Sequence, residues 1–286
     1  MKRQLGQIAG TGLALLVTTA AMANPEPWQL NMTPGVTSSS QDVYHLHMLI
    51  LGICVVIGIV VFGAMFYAMF KFRKSKGAVP AKFSHNTTAE VIWTVIPVAI
   101  LLVMAWPATH TLVKMADTGD AEFTVKVTGY QWKWRYEYLG EDVNFMSSLT
   151  RAADEARQLG SGIDPNTVDN YLLDVDNPLV IPTGAKVRFV ITADDVIHSW
   201  WVPALGWKQD AIPGFINEAW TQVDQPGVYR GQCAELCGKD HGFMPIVVIA
   251  KPRAEFDAWL AEQKSAKAPA AGTVAQSEPV PPITKS

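Results

Sequence analysis

Charge is absent from two long stretches of this 286-residue chain: residues 46–70 and 91–113 contain no Asp, Glu, Lys or Arg. Each exceeds the roughly 20 residues needed to cross a hydrocarbon core as a helix, so the lack of charge predicts two membrane spans. Cysteine is scarce as well, with three in the whole chain. The C-x2-C units of a structural zinc site do not occur among them, which argues against structural zinc. No internal repeat is present, and acidic and basic residues nearly balance at 26 and 23. Without a strongly basic surplus, no nucleic-acid partner is expected.

What lies between the two apolar stretches is positive: Lys71, Arg73, Lys74, Lys76 and Lys82. The positive-inside rule places that short loop in the cytoplasm and makes the spans a hairpin with both flanks outside. The N-terminus agrees. A Lys-Arg start, an apolar run over residues 8–21 and an Ala21-Met22-Ala23 end describe a secretory signal cleaved after Ala23. The chain then divides into a signal peptide (1–23), an extracytoplasmic segment (24–44) and a first span (45–70). A cytoplasmic loop (71–89), a second span (90–113), an outer domain (114–262) and a disordered tail (263–286) follow. The tail is a run of Ala, Pro, Ser and Thr with no core-forming pattern.

Two cysteines stand in the outer domain, within Cys233-A-E-L-Cys237-G-K-D-His241-G-F-Met244. Two thiols, an imidazole and a thioether in one short loop make a soft donor set that favours copper. A second imidazole, His198, lies upstream in the strand-like V-I-His198-S-W-W-V, where a folded β-domain brings it to the loop. Outside the cytoplasm a disulfide is the competing account of Cys233 and Cys237. It leaves His198, His241 and Met244 without a role, so a copper electron-transfer centre is the better reading. One blue-copper ion needs a single thiolate, whereas two thiolates aimed at one site are able to bridge two ions. Spacing leaves open how many metals bind and which group supplies the second weak ligand. Cys54, inside the first span, reads as a small buried apolar residue.

The outer domain carries short segments rich in β-branched and aromatic residues at 123–127, 179–181, 186–192, 196–202, 219–223, 228–232 and 246–250. Turn signals such as P-T-G, P-G-F and Q-P-G separate them, predicting an antiparallel Greek-key sandwich or barrel of cupredoxin type. The metal loop then joins two strands at one end of the sandwich. Residues 148–159 instead favour a helix stopped at Gly160, within an excursion spanning 141–170. Residues 120–262 hold 21 acids against 12 bases, a formal charge near −9 that favours a basic protein partner.

Over residues 40–262 the chain resembles subunit II of the bacterial haem–copper cytochrome c oxidases. The resemblance rests on the two-helix hairpin and on Gln131-W-K-W-R-Y-E-Tyr138, Asp194-D-V-I-H-S-W, Asp210-A-I-P-Gly214 and Gly231-Q-C-A-E-L-C-G-K-D-H-G-F-M-Pro245. It implies a dinuclear copper A centre bridged by Cys233 and Cys237, with His198 and Met244 on one copper. His241 and the Glu235 backbone carbonyl would complete the other. It implies that the Glu235 carboxylate shares a magnesium ion with subunit I, a hard ion that suits oxygen ligands. Trp132 matches the tryptophan that takes electrons from docked cytochrome c, although Lys133 stands where the family more often has Tyr. Glu137, Asp176 and Asp195 match docking acids, and Glu90 matches a proton-uptake position beside subunit I. The implied setting is the bacterial inner membrane, both termini periplasmic, with subunits I and III as partners and haem only in subunit I. No C-x-x-C-H motif occurs, so the implied cytochrome c is a separate protein. Two other classes compete: the second subunit of a quinol oxidase, which lacks copper ligands, and a copper-delivery protein, which needs neither the tryptophan strand nor the acidic face.

Overall fold

A computed structural model describes residues 21–23 and 28–267. Its longest elements are two helices, α1 (Ser38–Lys71) and α2 (Thr87–Ala116). Both are long and apolar enough to cross a membrane, and their apolar side chains are exposed on all sides of the isolated chain. The start of α1 meets the end of α2 through the Lys114–Asp42 ion pair at 2.6 Å, so the two run antiparallel. Cys54, expected to be buried, is exposed on α1, because a hairpin of two helices covers little of its own surface.

Both helices extend past the apolar stretches. The first was expected from 45 but starts at Ser38, and the second, expected over 90–113, spans Thr87–Ala116. Hydropathy marks the lipid-facing length, whereas capping sets the helix ends. Thr37 caps α1 by accepting from the Ser40 N–H at 3.0 Å, while the Thr37 N–H donates to Ser40 Oγ at 2.9 Å. This first turn is buried against the outer domain, where Thr37 Oγ1 donates to the Leu205 carbonyl at 3.0 Å. The fit requires Gly206: a Cβ there would sit 2.4 Å from Ser40 Cα, and its φ of +86° is left-handed. At the other end, Asn86 Oδ1 caps α2 by accepting from the Ala89 N–H at 3.1 Å.

The outer domain is a two-sheet sandwich. Its strands are β1 (Ala21–Ala23), β2 (Phe123–Tyr130), β3 (Lys133–Tyr138), β4 (Val143–Ser147), β5 (Leu179–Pro182) and β6 (Val187–Ala193). They continue as β7 (His198–Val202), β8 (Trp207–Ala211), β9 (Asn217–Thr221), β10 (Gly227–Cys233) and β11 (Pro245–Lys251). One sheet has the order β5-β11-β10-β7-β8, with β1 beside β10, and the other β4-β3-β2-β6-β9. This is the Greek-key, cupredoxin-like sandwich, joined to a two-helix hairpin. The expected signal peptide falls on residues 1–20, outside the described residues, and on β1.

Alternate positions of β3, β6 and β10 point inward, so Trp134, Tyr136, Phe189, Ile191 and Tyr229 are fully buried. Trp200 stacks on Trp207 and Phe189, with ring centroids 5.0 and 5.3 Å away. Each large apolar side chain so buried contributes about 1.5–3 kcal/mol. Two helical features differ from expectation. The expected excursion over 141–170 begins with strand β4 instead, and its helix, expected over 148–159, is only α3 (Arg151–Ala156), because Ser148 and Leu149 pair with Asp176 and Val175. The tail was placed from 263, but helix α4 (Arg253–Lys267) continues through that boundary, its Phe256 buried beside Phe123 and Tyr138. Residues 268–286 lie outside the described residues.

Candidate metal centre

Strand β7 begins with His198 and β10 ends with Cys233, two neighbouring strands paired at Cys233–Trp200. The Ala234 N–H donates to the Ser199 carbonyl at 2.9 Å, extending that ladder into the loop before β11. The loop then folds through Cys237 and a single 3-10 turn, His241–Phe243, which delivers Met244 to the start of β11. Local structure thus brings together side chains that are far apart in the sequence.

The five donor side chains form a continuous cluster. The two sulfurs are free thiols 3.9 Å apart, too far for a disulfide bond. His198 Nδ1 lies 3.9 Å from Cys233 Sγ, and His241 Nδ1 lies 3.5 Å from Cys237 Sγ. Met244 Sδ is 3.5 Å from Cys237 Sγ, and the Glu235 carbonyl oxygen is 3.4 Å from Cys233 Sγ. The imidazoles therefore attend different sulfurs. The donor atoms of His198, Cys233 and Cys237 all lie within 4.8 Å of one another, and the three residues are buried. Such a set is suited to soft transition-metal ions.

Ordering beyond the donors comes from Asp195. Its Oδ1 lies 2.9 Å from His198 Nε2, which fixes the ring with Nδ1 toward Cys233. Asp195 also accepts from the backbone N–H groups of Gln131, at 2.7 Å, and Val196, at 2.6 Å. Gln131 in turn donates from Nε2 to the Cys237 carbonyl at 2.8 Å, linking the His198 arm to the loop. Beneath the ring lies Gly129, where a Cβ would stand 2.8 Å from His198 Cδ2. The Asp-x-x-His spacing was the available signal for Asp195; the roles of Gln131 and Gly129 had none.

These contacts divide the thiols. Burial raises the Cys233 pKa, but the hydrogen bond with His198 and two backbone partners outweigh it and leave the thiol below its ordinary value. Burial and then the neighbouring Cys233 charge push Cys237 up to about 12. Burial disfavours the His198 cation, yet Cys233 and Asp195 together raise its pKa. A metal binding both sulfurs therefore has to displace the Cys237 proton.

The remaining expected residues are dispersed. Trp132 is half-buried beside the loop, its Nε1–H donating to the Cys237 carbonyl at 3.2 Å, with Lys239 Nζ 5.6 Å from its ring centroid. The Glu235 side chain is exposed at the loop tip. Glu90 sits in the first turn of α2, accepting from the Asn86 N–H at 3.3 Å, at the end remote from the β-domain. The three expected docking acids all have internal partners. Glu137 pairs with Arg135 at 2.6 Å and Lys126 at 3.1 Å. Asp176 accepts from the Ser148 and Asn177 N–H groups, both at 2.7 Å, and Asp195 holds His198.

Residues 123–251 match the family described as cytochrome C oxidase subunit II, periplasmic domain, and residues 25–110 match its transmembrane domain. A probable cytochrome c oxidase subunit 2 of Rickettsia bellii (strain RML369-C) is 42% identical over 258 residues, covering 90% of this chain and 92% of that protein. Cytochrome c oxidase subunit 2 of Cereibacter sphaeroides is 35% identical over 272 residues, covering 89% and 90%. The crystal structure of the periplasmic domain of subunit II of cytochrome oxidase of Bradyrhizobium japonicum is 37% identical. It covers 52% of this chain and 98% of that chain, with a TM-score of 0.46.

Proposed function

The chain belongs to the cytochrome c oxidase subunit II family, and from that premise we propose that its outer domain holds copper A and accepts electrons from cytochrome c. Cys233 and Cys237 would bridge two coppers, His198 and Met244 would complete one, and His241 with the Glu235 carbonyl the other. When bound, the copper pair supplies a one-electron carrier. The observation that carries this reading is the pair of unbonded sulfurs 3.9 Å apart, with an imidazole nitrogen against each. Two thiols, two imidazoles, a thioether and a carbonyl form a donor set that soft copper satisfies and hard ions do not.

The protein's own groups give that site its properties. Asp195 and Gln131 hold the His198 arm and the loop in one arrangement, which limits rearrangement when the charge of the centre changes. Burial of His198, Cys233 and Cys237 keeps water away from the donors. Trp132 offers a half-exposed indole hydrogen-bonded to the loop, the point at which we place arrival of electrons from the donor protein. The exposed Glu235 carboxylate is available to a magnesium ion shared with subunit I, and Glu90 is assigned to proton uptake beside that subunit.

The chain is a membrane protein of an oxidase complex. We place it in the bacterial inner membrane with its basic 71–82 loop in the cytoplasm and both termini in the periplasm. Subunit I would hold the haems, reduce oxygen to water and pump protons, with subunit III alongside. The test is metal analysis with an optical spectrum of the purified full-length chain. Two coppers per chain are expected, and Cys233→Ser or Cys237→Ser should abolish the copper absorption while both helices stay inserted. One colourless, readily exchanged copper in the wild-type chain would refute the relay and favour metal delivery.

A further inference from the structure

The segment between β4 and β5 has no part in the function above, yet the structure does not leave it free. Its base is tied by the Thr150 N–H donating to the Asp174 carbonyl at 3.2 Å and by a Leu149–Val175 bridge. Ala153 and Ala156 bury one side of α3. Arg157 immediately follows the last residue of the helix, and its side chain spans from the helix to the metal loop. Its Nε donates to Asp154 Oδ1 at 2.7 Å, and its Nη1 donates to Asp240 Oδ1 at 3.2 Å. The guanidinium carbon also lies 4.2 Å from the centroid of the Phe243 ring.

Those two loop partners are the flanks of one turn. Asp240 immediately precedes the 3-10 turn His241–Phe243, and the Phe243 N–H donates back to the Asp240 carbonyl at 2.9 Å. A single guanidinium therefore grips both ends of the turn that presents His241, directly before Met244. The pair is sheltered: the Arg157 and Asp240 side chains are only 20% and 21% exposed, so water competes weakly with their contact. His198 is ordered by a separate set of groups, Asp195 and strand β7. The two imidazoles of the site are thus positioned by different parts of the chain.

We propose that Arg157 is a positioning residue for the metal loop, and that the excursion is a buttress fixing His241 through Asp240 and Phe243. The proposal rests on the copper reading above. The chemistry requires arginine: a planar fork donates in two directions while its face lies on an aromatic ring, and the point charge of lysine cannot do both. Gln131 and Trp132 hold the loop at Cys237, but the His241–Phe243 turn beyond it is a single short one, so without the grip of Arg157 His241 gains freedom that the bound metal must remove.

The test uses the full-length, copper-loaded chain. Copper release to a competing chelator should be roughly tenfold faster in Arg157→Gln, the scale expected for losing a sheltered charge-assisted hydrogen bond. Hyperfine-shifted NMR signals of the His241 ring protons should move while those of His198 stay in place. Arg157→Lys should lie between Arg157→Gln and wild type. Arg151→Gln, which removes only the exposed Arg151–Glu155 pair of the same helix, should match wild type. If Arg157→Gln fails to fold, Asp240→Asn probes the same grip from the loop side and should shift the same His241 signals. Wild-type release with unmoved His241 signals in the Arg157 and Asp240 variants would overturn the buttress and leave the copper reading intact. An equal defect in Arg151→Gln would also overturn it, since loss of α3 rather than of the grip would then be the cause. A wild-type chain that binds no copper would sink both proposals.

Discussion

Asp195 matters to the site through what it holds, because one of its oxygens sets the direction of a donor nitrogen in the buried cluster. The imidazole of His198 is able to turn about its side-chain bonds, and the carboxylate on Nε2 selects the orientation that aims Nδ1 at Cys233. Removing a partner of this kind typically lowers metal affinity by about 10–100-fold. Asp195→Ala should therefore lower copper affinity by that order in a chelator competition, with the β-sheet circular dichroism unchanged. Unaltered affinity would mean that packing of His198 against Gly129 and Trp134 suffices to orient it. The side chains that cluster were legible in the sequence because four of the five share one loop. Asp195 was read as a docking acid, since the sequence shows that a carboxylate lies three positions from His198 but not that the chain folds it back onto the ring. Arg157 and Asp240 were invisible as a pair because 83 residues separate them.

Strands were legible where both faces are apolar, as in β5 and β11, or where buried apolar and outer residues alternate, as in β6, and poorly legible at the margins. In β4 and β8 Asn144, Lys208, Gln209 and Asp210 interrupt the apolar residues, and each is the terminal strand of its sheet path with one side facing outward. Junctions between elements hold pairs that composition cannot reveal. Glu218 on β9 accepts from Arg188 Nε on β6 at 3.0 Å and from Thr118 Oγ1, just past α2, also at 3.0 Å. The hydrogen bond from Arg188 holds the Glu218 carboxyl below its usual 4.5. A depressed folded-state value means that this carboxylate adds stability at pH above 4.5, and that the contribution is lost as pH falls through the lower, folded value. Both side chains are about a third exposed, so the contribution is small. In Arg188→Gln the Glu218 carbon resonance should titrate at higher pH than in wild type, and the difference in melting temperature between the two should close in acid. An unchanged midpoint would show that Arg188 is only a neighbour in space.

At the scale of the whole molecule, the hairpin and the outer domain are joined by short polar contacts at the predicted outer membrane face. Lys114 pairs with Asp42, its carbonyl accepts from Trp220 Nε1 at 3.2 Å, and the cap of α1 docks on Leu205. The division into hairpin and sandwich was legible because charge-free length and β-type patterning differ so strongly, whereas this junction was not, since its residues are ordinary polar ones. Charge on the outer domain leads to the last expectation. The three acids expected to dock a partner are individually engaged, and Glu137 faces two cations of its own. Glu137→Gln should consequently change the rate of cytochrome c oxidation by less than about twofold, because Arg135 and Lys126 already compensate that charge. The excess of 21 acids over 12 bases across residues 120–262 acts instead as a summed field. Such a field is screened within roughly 8–10 Å near physiological ionic strength, so the oxidation rate of a basic cytochrome c should fall steeply as salt is raised from low to physiological levels. Stopped-flow measurement across that range decides it. A rate indifferent to salt would rule out electrostatic steering and shift recognition to short-range contacts around Trp132.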